Sequence, residues 1–417
     1  MSYRSEPAVF GTVDTAFLPY LPPLWLEYLY YAQVFYSIIG PIIGISFGMV
    51  GIGMLLMGAG LCVLRMGKYW PVMLQPIALP VACGVSYIAI QMVFHRNGVG
   101  AEYVREFVPW MAGLVLVQCL ALRRGFLHRA AIVILLLGLA TLPFARSFAN
   151  DDGRIGLEKG ISIANPNDLG AWFGFCCVYF TILGIETRRY WMRSIAWVTA
   201  AGCLLVVGLT VSRGPLLAAA CGIVFAFRRV LKRGFIPFFS LLLVVWGGYA
   251  SGLFDEEIAK YTQRGLEDTG RIGVWPRAIA RIIESPFIGV GASHLLTPRP
   301  FGGAPVTPHN AFIFIALASG MLPLLLFVAY WMRLALEATK LNAASHEDAP
   351  FATCLLMYSL LITLNLNEPF MLPWAMMTLG SLGAAGFLLR VQRAVAQPSP
   401  RGSLGNTPRA PAVARPA

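Results

Sequence analysis

His309, Arg213 and the arginines from Arg271 to Arg281 are the residues of this chain best suited to chemistry. An imidazole takes and returns a proton near neutral pH. A guanidinium keeps its charge and donates two parallel hydrogen bonds, which suits it to phosphate groups. His309 stands in Thr307-Pro308-His309-Asn310, just ahead of an apolar run. The spacing predicts Thr307 as a helix cap, Pro308 in the first turn and His309 directly after it. There the positive end of the helix dipole disfavours imidazolium and favours a ring able to accept a proton. A lone histidine at an interface is more often structural than catalytic, and His294 is a competitor in the same loop.

Arg213 lies in Ser212-Arg213-Gly214-Pro215, a very short turn between two apolar runs. Pro215 suits the first helical position and Ser212 or Gly214 the cap. Arg213 would then sit beside the unpaired N–H groups of a helix start, a place that favours an anion. The bland alternative is an arginine that snorkels to the membrane interface. Around Arg271, Arg277 and Arg281, the residues Ile272, Trp275, Ile279, Ile282 and Ile283 recur at helical spacing, with Pro276 near the expected helix start. This predicts a short basic amphipathic helix in the headgroup plane. Its arginines either bind anionic lipid or clamp a diphosphate.

Other candidates are weaker. Asp255-Glu256-Glu257 and Glu267-Asp268 are adjacent acids of the solvated kind, with no second ligand group at metal spacing, so no metal or other cofactor is expected. Asn165-Pro166-Asn167-Asp168 reads as a helix cap, with sugar contact as the alternative. The eight cysteines all lie in apolar runs and read as small core residues.

The elements that must position these groups are membrane helices. The chain has 417 residues, 57% hydrophobic and 12% charged, with mean hydropathy +0.68. Soluble domains carry roughly 25% charged residues. The sequence therefore reads as an all-α polytopic membrane protein. From Leu24 to Leu64 it is apolar almost without interruption, and Gly40-Pro41 suggests a break between two helices. Further spans are expected near 71–94, 107–121, 130–145, 169–185, 195–211, 215–227, 235–253, 310–332, 351–367 and 371–389. That makes about twelve transmembrane helices, or about eleven if the first run is one. The membrane domain covers 1–394, and 395–417, rich in Pro, Ala, Gly and Arg, reads as a disordered cytoplasmic tail.

The net charge of +12 is not a nucleic-acid signature, because the basic residues cluster in short turns. Arg65 and Lys68, Arg123-Arg124, Arg188-Arg189, and Arg228-Arg229 fall on alternate turns, which places those turns in the cytoplasm. Both termini are then cytoplasmic. Arg213, the 146–168 loop and one long 254–309 loop face outward. His128 and His346 fall inside, leaving His95, His294 and His309 outside. The expected spans carry almost no charged residues away from their ends, which argues against an ion-coupled transporter.

Taken together, these pieces resemble the O-antigen ligase and polymerase superfamily of bacterial envelope glycosyltransferases. The resemblance runs from about Asn165 to Tyr330. It rests on Asn165-Pro166-Asn167, Ser212-Arg213-Gly214, Arg271 with Trp275, Glu284-Ser285-Pro286-Phe287-Ile288-Gly289-Val290-Gly291, and His309-Asn310 heading a helix that continues to Gly320. It implies an enzyme of the inner membrane, active at the periplasmic face. Such an enzyme takes a glycan from undecaprenyl diphosphate without metal or nucleotide and passes it to a hydroxyl acceptor such as lipopolysaccharide core.

The same resemblance implies a diphosphate held by Arg213 and Arg271, with Arg277 or Arg264 as alternatives to Arg271. It implies His309 acting on the acceptor, with Trp275, Arg277 and Asn310 as secondary residues. A polymerase of O-antigen or exopolysaccharide, and a protein O-oligosaccharyltransferase, share this donor chemistry and differ in the acceptor. A flippase or transporter of lipid-linked glycans is the non-enzymatic alternative.

Overall fold

In a computed structural model the described residues are 20–44, 48–95, 99–147, 154–157, 165–231, 271–296, 307–344, 348–365 and 373–396. The span expected at 235–253, the acid clusters, Arg264, His346 and the tail beyond Ala396 lie outside them. The described chain is dominated by helices, which we label α1 (Leu24–Ile42), α2 (Gly48–Met66), α3 (Trp70–Leu74), α4 (Ala78–Ile90), α5 (Val99–Leu120) and α6 (Phe126–Thr141). They continue as α7 (Pro166–Glu186), α8 (Tyr190–Leu209), α9 (Arg213–Leu231), α10 (Arg271–Glu284), α11 (Ala311–Ser319), α12 (Met321–Ala343), α13 (Ala349–Thr363) and α14 (Pro373–Ala396).

Among the described residues, six helical runs are long and apolar enough to cross a membrane. They are Val50–His95, Phe126–Phe144, Pro166–Glu186, Tyr190–Leu209, Met321–Ala343 and Pro373–Val391. Large apolar side chains such as Leu64, Val198, Leu205 and Met332 are exposed on this bundle. In water such a surface would drive association; in a bilayer it faces lipid. α7 is the central helix. Its residues from Leu169 to Tyr179 are almost entirely buried, and Trp172 donates its indole N–H to the Ile134 carbonyl at 2.8 Å. Seven of the eight cysteines are buried and Cys221 is half-buried, in keeping with core roles.

Several expected boundaries shift. The first apolar run is two helices, but Pro41 lies inside α1 and the break follows at Ile43-Gly44, where Gly44 has φ 79°. α6 stops at Thr141, and Ala145–Ser147 forms a strand β1 antiparallel to β2, Ile155–Leu157. The all-α expectation thus gains one small hairpin. The span expected over 310–332 is not continuous: Gly320, at φ 79° and ψ −167°, separates α11 from α12, and α12 runs on to Ala343. At about 1.5 Å per residue, the 23 residues of α12 cover a bilayer core of about 30 Å, so α11 is additional length.

Contacts sort the helix ends into two sets. Arg123 Nε donates to the Pro22 carbonyl at 2.6 Å, and Arg129 grips the buried carboxylate of Glu27 at 2.7 and 2.9 Å. Arg123, Leu127, Leu341, Asp348 and Leu388 line one small cavity. Glu337, 1% exposed, meets Arg390 at 3.0 Å, Lys340 at 3.3 Å and Arg333 at 3.5 Å. These groups share one basic end of the bundle. His128 Nδ1 and the Tyr179 hydroxyl, 2.5 Å apart, bring the later part of α7 toward that end. The start of α7, the start of α9 and the start of α12 therefore lie at the opposite end.

Candidate functional site

Two constructions carry the candidate residues: the His309 segment on α11, which folds back along α12 so that the Phe312 and Phe327 rings lie 5.0 Å apart, and the Arg213 turn at that opposite end. The first is built on the break in the α11–α12 pair. Residues 286–291 dock against it through backbone bonds, with Val290 packed on the cluster around Leu317 and Ala318. Val290 N donates to Leu317 O at 2.7 Å, Gly291 N to Ala318 O at 3.1 Å, and Met321 N to Pro286 O at 2.8 Å. Such an approach leaves no room for a side chain: a Cβ on Gly320 would lie 2.3 Å from Phe287 O, and one on Gly289 2.6 Å from Leu317 O. The Gly289-Val290-Gly291 motif is therefore a docking seam.

Gln91 seals the seam from a π-helical turn, Gln91–His95, that extends α4. Its amide is fully buried, donates to Ala318 O at 2.8 Å and Ser319 Oγ at 3.2 Å, and accepts from Ala292 N at 2.9 Å. A buried amide with both ends engaged cross-links three segments. Leaving such groups unpaired costs about 1–3 kcal/mol each. His95 joins in: its Nε2 lies 2.9 Å from Ile288 O, so the ring donates there. His294 is exposed, and its carbonyl accepts from Arg281 Nη2 at 2.7 Å while Arg281 Nη1 reaches Leu296 O at 3.2 Å.

α10 is the helix expected around Arg271, Arg277 and Arg281, and it lies over this assembly. Val274 and Ala278 are wholly buried, whereas Ile279 and Ile283 are 46% and 71% exposed. Small side chains face inward because α10 packs closely on α11; the large ones point away. Pro276 is an interior residue of α10, which already begins at Arg271. Arg277 is exposed on the same helix. Trp275, half-buried, donates Nε1–H to the Pro308 carbonyl at 2.8 Å, and so ties α10 to the residue before His309.

The start of α11 differs from the sequence reading. Its cap is Asn310, whose Oδ1 accepts from Phe312 N at 3.0 Å and Ile313 N at 3.2 Å. Thr307 is not the cap, and His309 is not in the first turn; it precedes the cap. Its φ is 46°, a left-handed conformation uncommon outside glycine but several-fold enriched for histidine, asparagine and aspartate. His309 stands three positions further from the helix than expected, one residue before the cap rather than two after it. Asn310 is 5% exposed and its Oδ1 serves the helix.

The Arg213 construction uses three elements. Asn165 caps α7 by accepting from Asn167 N at 2.9 Å, as the Asn-Pro-Asn motif predicts. α9 begins at Arg213 itself, with Pro215 third, so Pro215 is not the first helical residue. Ser212 O accepts from Leu216 N at 3.2 Å. Thr210, Val211 and Ser212 are all buried, and Val211 has φ 48°. Arg154, next to β2, donates from Nε to Thr210 O at 3.0 Å and from Nη2 to Ser212 Oγ at 2.8 Å and Asn167 Oδ1 at 3.0 Å. Sequence reading missed Arg154, because an isolated arginine in a polar loop carries no periodic signal. Asn365 lies against Gly214, where an added Cβ would come within 2.9 Å of its Cγ.

The geometry thus joins Trp275 to the His309 segment, and Arg154 to the Arg213 turn. Arg271 enters only as the first residue of α10.

Residues 198–328 match the family model described as O-antigen ligase. The match encloses Arg213, Arg271 and His309 and supports the O-antigen ligase and polymerase superfamily, in which members are glycosyltransferase-like enzymes of the membrane. No curated protein matches the chain.

Proposed function

We propose that the protein is a glycosyltransferase of ligase type that moves a glycan from undecaprenyl diphosphate to a hydroxyl acceptor, such as lipopolysaccharide core, at the outer face of the bacterial inner membrane. The observation that supports this most is the O-antigen ligase match over 198–328, which encloses Arg213, Arg271 and His309. In this reading Arg213, together with Arg271 or Arg277, neutralises the diphosphate. The leaving group needs its growing charge stabilised more than it needs a proton, and fixed guanidinium groups supply that. His309 takes the proton of the acceptor hydroxyl as the oxygen attacks the anomeric carbon. A base so placed is worth typically about 10²–10⁴-fold. The C–O bond to the diphosphate breaks as the new glycosidic bond forms, with inversion at the anomeric carbon.

A deletion strain tests the reading through the lipid-linked glycans it accumulates. Loss of a ligase leaves long glycans on undecaprenyl diphosphate. Single repeat units there would indicate a polymerase, and units trapped on the cytoplasmic side a flippase.

A further inference from the structure

We infer that Arg154 is a positioning residue for Arg213, an inference that rests on the diphosphate role given to Arg213 above. The connection between α8 and α9 is only Thr210 to Ser212, and its middle residue, Val211, holds φ 48°. A β-branched residue in this region is a conformational outlier, kept there only when its surroundings over-determine it. Val211 N donates to Gly208 O at 2.9 Å and Ser212 Oγ to Thr210 O at 3.2 Å, and one guanidinium clasps the turn from both sides of Val211. Arg154 bonds to the carbonyl before Val211 and to the hydroxyl after it, at 3.0 and 2.8 Å. The next residue is Arg213.

The brace is itself anchored on two sides. Nη2 also reaches Asn167 Oδ1 at 3.0 Å, at the capped start of α7. The chain directly after Arg154 is β2, paired to β1 in the register Arg146 to Gly156, with Leu157 only 2% exposed. The hairpin thus presents Arg154 to the turn from a fixed base. Only arginine fits this task. Its planar fork carries Nε and Nη2 donors at a set spacing, whereas a lysine offers one flexible point charge. Without the brace the turn keeps its bonds to Gly208 and Thr210 but loses the clasp that spans Val211, so its strained backbone shifts and Arg213 shifts with it.

The test uses purified full-length protein in detergent and undecaprenyl diphosphate as the probe, with Kd measured by titration and Tm recorded for every variant. Arg154→Ala should weaken binding about tenfold, and Arg154→Lys nearly as much. In an Arg213→Ala background, Arg154→Ala should change Kd less than twofold, because it acts through the residue already removed. Adding Val211→Gly to Arg154→Ala should restore most of the affinity, since glycine adopts the turn without strain.

A direct ligand contact by Arg154 would not be rescued in this way, and that failure would overturn the positioning role. So would wild-type affinity of Arg154→Ala and Arg154→Lys, or losses from Arg154→Ala and Arg213→Ala that multiply. In each of these cases Arg213 still matters and the proposed function stands. Wild-type affinity of Arg213→Ala would instead remove both readings.

Discussion

Trp275 Nε1 donates to the carbonyl oxygen of Pro308 at 2.8 Å, and this bond fixes the backbone from which His309 departs. It joins a helix of the long loop to the start of the next membrane segment across 33 positions of chain. Trp275→Phe keeps an aromatic body and loses only this donor. A single such bond is worth about 1 kcal/mol, so transfer should fall about fivefold while Tm changes little. Unchanged kinetics would show that His309 does not depend on this tie.

The seam between residues 286–291 and the helix break predicts an asymmetry between two glycines. Gly320→Ala meets Phe287 O at 2.3 Å, in a backbone region open essentially to glycine. It should cost several kcal/mol, with strain alone contributing about 1–3 kcal/mol, and should abolish folding or activity. Gly208→Ala, in α8 with no neighbour within 4 Å, should be close to neutral. Thermal denaturation of both variants in detergent decides this, and a stable Gly320→Ala protein would contradict the seam.

Much of the bundle was legible in the sequence because apolar runs bounded by arginines mark helices whatever their packing. The break at Gly320 was not, since hydropathy is continuous from Ala311 through Leu326 and only tertiary docking shows why a glycine must stand there. The cap of α11 was misplaced at Thr307 for a similar reason: the helix starts three residues later, capped by Asn310, with Trp275 holding Pro308 just ahead of it. On α10 the isoleucine periodicity marked the helix, but it did not show that Val274 and Ala278 would be the residues buried where α10 meets α11. Among the candidate residues, Arg213 and His309 stood out through their turns, while the contacts of Arg154 depend on a hairpin that brings distant chain together.

Orientation is testable without activity. The alternating basic turns predict that position 231 faces the cytoplasm and position 304 the outside. In a cysteine-free background, Ala304→Cys should react with an impermeant thiol reagent on cells with a permeabilised outer membrane, and Leu231→Cys should not. Equal labelling, or labelling of position 231 alone, would reverse or refute the arrangement.

Guanidinium geometry at position 213 should matter beyond its charge. Arg213→Lys is expected to lose most transfer activity, as the two-pronged hold on a diphosphate is lost. Steady-state kinetics with lipid-linked donor would show this chiefly as weaker donor use. Full activity of Arg213→Lys would reduce the residue to a point charge, and full activity of Arg213→Ala would remove it from the site.

The most direct measurement is glycan transfer by purified His309→Ala protein, supplied with lipid-linked donor and acceptor across a range of pH. The account predicts a folded protein that still binds donor, with transfer lowered by roughly two to four orders of magnitude. It also predicts that the ascending limb of the wild-type pH profile disappears from what activity remains, while His294→Ala stays near wild type. Near wild-type transfer by His309→Ala, or a dead His294→Ala, would contradict it.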